Sequence, residues 1–245
     1  MTTITTTQFD RFLRAAQTLL PPAATWPQLN TYPNSLAEAT IDAIWSERVR
    51  YTNVVEVVDR YRAFRRAQGA DADTDGAREL EATFAMGVEA WIERIGNHQR
   101  VFSRDVAPYK AEVVHQAAQV AVAAGVESAR ELAEAYAENG DRFKDLRQRW
   151  LALPSQHSGM SFGRLLLAAG IETVPLDPWL VEFTSGAIGA PATAEDAIGL
   201  VTAAAKVMDV TPFRLRNAIW LYQTKLDHRQ HRSPGYSAGV AAPPT

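Results

Sequence analysis

No cysteine occurs among the 245 residues, which excludes disulfides, thiolate zinc sites and thiolate-held iron–sulfur clusters. No apolar run approaches the roughly 18–20 residues needed to span a bilayer, so a membrane partner is not expected. An excess of basic charge is missing too. The formal net charge is −3 and the pI about 6.0, which argues against a wholly basic nucleic-acid binder, because phosphate neutralisation needs Lys and Arg. No segment alternates apolar and polar residues as a half-buried strand does. Glycine-rich phosphate loops, nucleophile elbows and dinucleotide fingerprints are absent, so kinases, elbow-type hydrolases and dehydrogenases have no sequence foothold. His98, His115, His157, His228 and His231 lack the spacing of metal ligands on a carboxylate-bearing helix, and neither a metal nor another cofactor is expected. The opening MTTITTTQFDRF has neither the basic nor the apolar stretch of a secretory signal, and the expectation is a cytoplasmic protein.

What is present reads as helix. Hydrophobic residues make up 47% of the chain, enough for one large core or two helical lobes. Apolar residues recur at three- and four-residue intervals in Leu36-Ile41-Ile44-Val49 and Val54-Val58-Tyr61, the helical period. Start and stop signals divide the rest. Ser35 precedes Leu36 as an N-cap, Gly125 closes Pro108 to Ala124, and Ser128 caps a short helix ahead of the Asn139-Gly140 turn. Helices then run over Asp141–Leu151, Phe162–Ala169, Trp179–Ile188, Ala194–Met208 and Pro212–Leu226, bounded by Pro and Gly. Residues 233–245 have the Pro/Gly/Ala/Ser composition of a disordered tail. Between Lys206 and Arg232 six Lys/Arg stand against two acids, a local excess of basic charge that suits either phosphate contact or a solvated helix face with a basic fringe.

Leu153-Pro154, the segment SQHSG, the apolar stretch SFGRLLLAAG and Asp177 follow one another in a fixed register. That register resembles the signature of the helix-hairpin-helix (HhH-GPD) DNA glycosylases, of the endonuclease III and 3-methyladenine-glycosylase kind. In that family Leu-Pro opens a glycine-rich hairpin, an apolar helix ends in Gly, and the catalytic Asp comes seven residues later. Upstream, Ile44-Trp45-Ser46-Glu47-Arg48 is similar to the family's helix start following an apolar stripe, where a polar side chain can enter the DNA stack. Ile95-Gly96 and Lys110-Ala111 are similar to its Gly-then-Lys-Ala element, with a longer loop between them. LRNAIWLYQ resembles the last helix of a divergent bacterial branch. The resemblance covers roughly residues 35 to 225.

It implies an all-α fold of two helical lobes, with a cleft between them and a hairpin-helix element. The organisation expected is an N-terminal segment, 1–34, packing with the C-terminal lobe, a hairpin-bearing lobe over 35–171, and a C-terminal lobe over 172–232. The activity implied is that of a monofunctional glycosylase on double-stranded DNA, which would place the protein with the nucleoid. Asp177 would be the ionised carboxylate that stabilises the positive sugar of the transition state and orients water. Asp before Pro178 is equally a helix N-cap. The hairpin positions Ser155, Gln156, His157, Ser158 and Gly159 would meet phosphate, with Arg48 as the wedge left in the stack. Trp45, Tyr51 and Trp179, together with Phe183, are either walls for a flipped base or core aromatics. Lys110 is read as an exposed helix residue.

Two departures modify what the resemblance implies. The family's Gly-hydrophobic-Gly hairpin reads Ser155-Gln156-His157 here, so either phosphate would be met by the hydroxyls of Ser155 and Ser158 and the His157 imidazole rather than by backbone alone, or the hairpin would not bind phosphate at all. Gly159 stands where bifunctional members carry a Schiff-base lysine, so lyase chemistry is not expected. A catalytically silent DNA- or protein-binding member of the same fold is the alternative reading.

Overall fold

The computed structural model describes residues 4–26, 30–47, 49–102, 106–174 and 178–230, the stretch 225–230 as backbone only. The described residues are helical, apart from turns and one isolated antiparallel bridge between Arg100 and Tyr109. In chain order the helices are α1 (Thr6–Leu19), α2 (Leu36–Trp45), α3 (Tyr51–Ala67), α4 (Ala77–Thr83), α5 (Val88–Arg94), α6 (Lys110–Ala123), α7 (Ala129–Glu138), α8 (Asp141–Leu151), α9 (Met160–Ala168), α10 (Pro178–Ile188), α11 (Ala194–Val207) and α12 (Pro212–Gln230). They fall into two units, Leu29–Thr173 and Met1–Gln28 with Val174–Thr245.

In the unit of residues 29–173, α2 is the central element and packs against α3, α6 and α9. Its start follows from Ser35, whose hydroxyl accepts from the Glu38 N–H (3.2 Å) and donates to the Asp75 carbonyl (3.1 Å). The apolar period of Leu36, Ile41 and Ile44 predicts one buried stripe. The helix is instead buried on every side, Glu38 and Asp42 included, because neighbours cover the faces that the period leaves polar. In the same core Trp45, Trp91, Trp150, Tyr61, Leu80, Ile95, Leu132 and Leu146 are fully buried. Each such side chain contributes about 1.5–3 kcal/mol of transfer free energy relative to exposure.

Buried carboxylates need partners, since an isolated ion loses far more solvation than packing returns. Each of three has an arginine. Arg62 grips Glu38 through Nε and Nη2 (2.7 and 2.8 Å). Arg65 does the same to Asp75 (2.6 and 3.0 Å), which also accepts from the Tyr61 hydroxyl (2.7 Å). Arg164 of α9 reaches Asp42 at 2.5 Å. Burial, more than the Arg62 contact can offset, raises the Glu38 carboxyl above the ordinary value.

In the other unit, α1 packs on α10 and α11, and α12 packs on the same two helices. Thr5 and Gln8 form a reciprocal capping box at the start of α1. Phe12 meets Phe183 edge-on, with centroids 5.8 Å apart, over a core of Leu200, Val201, Leu215 and Ile219. Arg11 donates to the Ile188 carbonyl at the end of α10 (3.1 Å), and Arg214 to the Ala23 carbonyl (3.0 Å). Arg214 is thereby committed within its own unit, and Arg216 is buried. Neither adds to the exposed basic charge that the stretch from Lys206 to Arg232 suggests.

Candidate functional site: the hairpin before α9

The turn between α8 and α9 is built from a few backbone hydrogen bonds. The Gln156 N–H donates to the Leu153 carbonyl (3.0 Å), and the Gly159 N–H to the Gln156 carbonyl (3.1 Å). Closing so short a loop requires left-handed backbone at two places, Ser155 at φ 69° and Gly159 at φ 75°. Glycine enters that region at little cost, whereas an L side chain is strained there. Ser155 therefore holds a conformation suited to glycine.

The hairpin side chains divide sharply. His157 and Ser158 are exposed, and Ser155 and Gly159 are half-buried. Gln156 is fully buried; its Nε2 donates to the Pro154 carbonyl (3.0 Å), and its Oε1 has no hydrogen-bond partner. Gln156, read from the sequence as a phosphate contact, thus has its side chain turned into the turn itself. The Ser158 hydroxyl accepts from the Met160 N–H (3.3 Å) at the start of α9. Met160 itself is largely exposed, at 58%.

Beneath the hairpin, α9 is anchored to α2 by a buried polar cluster. Asp42 accepts from Tyr51 (2.8 Å), Tyr32 (3.2 Å), Ser46 (3.0 Å) and Arg164 (2.5 Å). The Tyr51 hydroxyl in turn accepts from the Asn30 N–H (2.8 Å) and Arg164 Nη2 (3.1 Å). Burial, and then the Asp42 carboxylate, push the Tyr51 phenol up to about 12. A phenol so held stays protonated and keeps donating. Tyr51 consequently serves the anchor, and its ring is only partly exposed.

The other named residues are distributed as follows. Trp45 is wholly buried and packs against Trp91, with centroids 5.9 Å apart. It is a core residue, and the base-wall role expected of it is corrected here. Its position follows from α2 being covered on all faces, which no local period reveals. Gly96 lies against the same pair: a Cβ there would come within 2.8 Å of the Trp91 ring, so close packing explains that glycine. Lys110 is buried rather than exposed, at 2%. Its ammonium donates to the carbonyls of Trp45 (2.8 Å) and Glu47 (2.5 Å) at the end of α2, a favourable place for a cation because carbonyl dipoles point outward there. Trp179 and Phe183 lie on α10, half-buried and buried respectively. Arg48 and Asp177 lie outside the described residues, as do His231 and the tail 233–245.

Among the described residues, no group of three or more His, Asp or Glu is placed to hold a metal, and no helix is long and apolar enough to cross a membrane. The residues that sequence reasoning missed are those of the anchor: Asp42, Arg164, Tyr32 and Ser46. Their one sequence signal is an arginine inside the apolar stretch SFGRLLLAAG, which needs a buried acid if that face is core. No curated protein and no solved structure matches the chain. One family, described as a domain of unknown function (DUF8548), matches residues 10–224, a span from α1 through α12 that includes the hairpin and its anchor. On that coverage, the chain belongs to the DUF8548 family.

Proposed function

We propose that this chain is a monofunctional DNA glycosylase-like protein that hydrolyses the N-glycosidic bond of a damaged or modified base in double-stranded DNA. The observation that carries the reading is the hairpin backbone. Ser155 keeps the left-handed φ of 69° that a glycine would supply, and Gly159 opens α9 at φ 75°. A hairpin that retains this geometry without its glycine offers a helix start and exposed His157 and Ser158 to a phosphate, the kind of contact that fixes register on a duplex. In this reading Asp177 supplies the carboxylate, water is the nucleophile and no cofactor takes part. Gly159 has no amine, so a Schiff base with the sugar is not formed.

A second reading, a catalytically silent DNA- or protein-binding member of the same fold, is favoured by the burial of Trp45, which removes one wall from the expected base pocket. One experiment separates the two. Duplexes carrying alkylated, deaminated or oxidised bases are incubated with the protein, and free base and abasic sites are measured. Base release without strand cleavage supports the enzyme. Binding to duplex DNA without release of any base selects the silent reading, and no binding even at low salt overturns both DNA-based readings.

A further inference from the structure

Helix α8 leads directly into the hairpin, and its three faces carry three kinds of side chain. Phe143, Leu146 and Trp150 are buried. Arg142, Asp145 and Arg149 repeat that spacing on one flank and are engaged in ion pairs. Arg142 Nη2 lies 3.8 Å from Glu138 Oε2, and Arg149 Nε lies 2.8 Å from Asp145 Oδ2. Positions 144, 147, 148 and 151 share the other flank, because residues three and four apart stack along a helix. Lys144, Arg147 and Gln148 are exposed there, and among the described residues neither cation has an acidic partner.

This unpaired flank runs into the hairpin. Leu151, its last member, lies beside Gly159, where an added Cβ would find the Leu151 Cδ2 at 3.5 Å. His157 and Ser158 are exposed next to that contact. Two uncompensated cations on a chain of net charge −3 thus sit on a helix whose opposite side is fixed in the core. A pair of cations one helical turn apart on a fixed helix is complementary to neighbouring phosphates of one strand, and binding would release the counterions condensed on them.

We propose that Lys144 and Arg147 extend the hairpin's contact along α8 onto the phosphate backbone of duplex DNA. This rests on the reading of the chain as a duplex-DNA-binding protein. The test is the affinity of the full chain for a duplex oligonucleotide with one abasic-site analogue, measured over a series of salt concentrations. The variants are Lys144→Gln with Arg147→Gln, and, as a control, Arg142→Gln with Arg149→Gln on the ion-paired flank.

Loss of two phosphate contacts makes the slope of log affinity against log salt shallower by about 1.8. Binding at low salt should weaken about tenfold or more, while the control pair changes the slope by less than half as much. Thermal unfolding should be unaltered in the Lys144/Arg147 variant, whose side chains are exposed. If the wild type binds and this variant keeps its slope and affinity, the α8 surface is overturned and the hairpin reading stands. If the wild type fails to bind the duplex, both fall.

Discussion

Lys110 and His115 lie on the same helix, and each turns its surroundings into a measurable dependence of stability. The Lys110 ammonium donates to two carbonyls where α2 ends. Replacing it with Met keeps most of the apolar stem and withdraws the donor. Lys110→Met should therefore lower stability by about 1–3 kcal/mol, read from denaturant unfolding; an unchanged midpoint would mean that the end of α2 is held by other groups. His115 stacks on Phe84, with ring centroids 4.5 Å apart. Burial lowers its pKa below the ordinary 6.5, against a smaller opposing pull from Glu81. In the unfolded chain this imidazole takes up a proton near 6.5, and in the folded chain only at lower pH. Between those values the unfolded state binds more protons, so this contribution is present above about pH 6.5 and is lost as pH falls through the window. The variant His115→Phe preserves the stack and cannot titrate. Its stability relative to wild type should rise as pH is lowered from 7 toward 5, and parallel curves for the two proteins would show that His115 titrates alike in both states.

At the scale of elements, the hairpin is held by backbone it can adopt only under strain and by an anchor that fixes the helix after it. Ser155 at φ 69° places a side chain where L residues are disfavoured by about 1–2 kcal/mol. Ser155→Gly removes that strain and adds some unfolded-state entropy, so a net gain of about 0.5–1 kcal/mol is expected. A higher melting temperature checks it, and a lower one would mean that the Ser155 side chain makes a contact worth more than the strain. The Asp42 cluster has the opposite character. Asp42→Ala leaves the Arg164 guanidinium buried without its carboxylate, along with the Tyr32 and Tyr51 hydroxyls that donate to it. The expected loss is about 3–5 kcal/mol, measured by unfolding. A loss under 1 kcal/mol would show that α9 is held by packing alone.

At the scale of the whole molecule the question is whether Asp177 does chemistry, and its substitution by Asn addresses it because size and a capping oxygen are kept while the charge is lost. If Asp177 stabilises a positively charged sugar as proposed, Asp177→Asn should keep folding and any duplex binding yet slow base release by about 10² or more, roughly 2.7 kcal/mol of transition-state stabilisation. Single-turnover release of the base that the wild type accepts measures this. Undiminished release by the Asn variant would remove Asp177 from the mechanism.

The amino-acid sequence by itself determined the helical architecture. Helix starts and stops are local events: Ser35 and Ser128 cap the backbone three residues ahead, Gly125 and Gly170 take left-handed φ just past helix ends, and the Asn139-Gly140 turn has its own backbone geometry, with Asn139 at φ 48°. The break between α8 and α9 was legible for the same reason, since Leu153-Pro154 follows the end of one helix and an apolar stretch closed by Gly170 makes the next. Only the tertiary structure decided which of those residues face outward. Trp45, Lys110 and Gln156 each carry chemistry that suits a surface or a site, and each is buried. Arg164 sits in an apolar stretch because Asp42, 122 positions earlier in the chain, is folded against it. Burial and ion pairing depend on what a helix packs against, and residues distant in sequence make those contacts. A period of three and four describes one helix alone; it does not record that α2 is covered on every side.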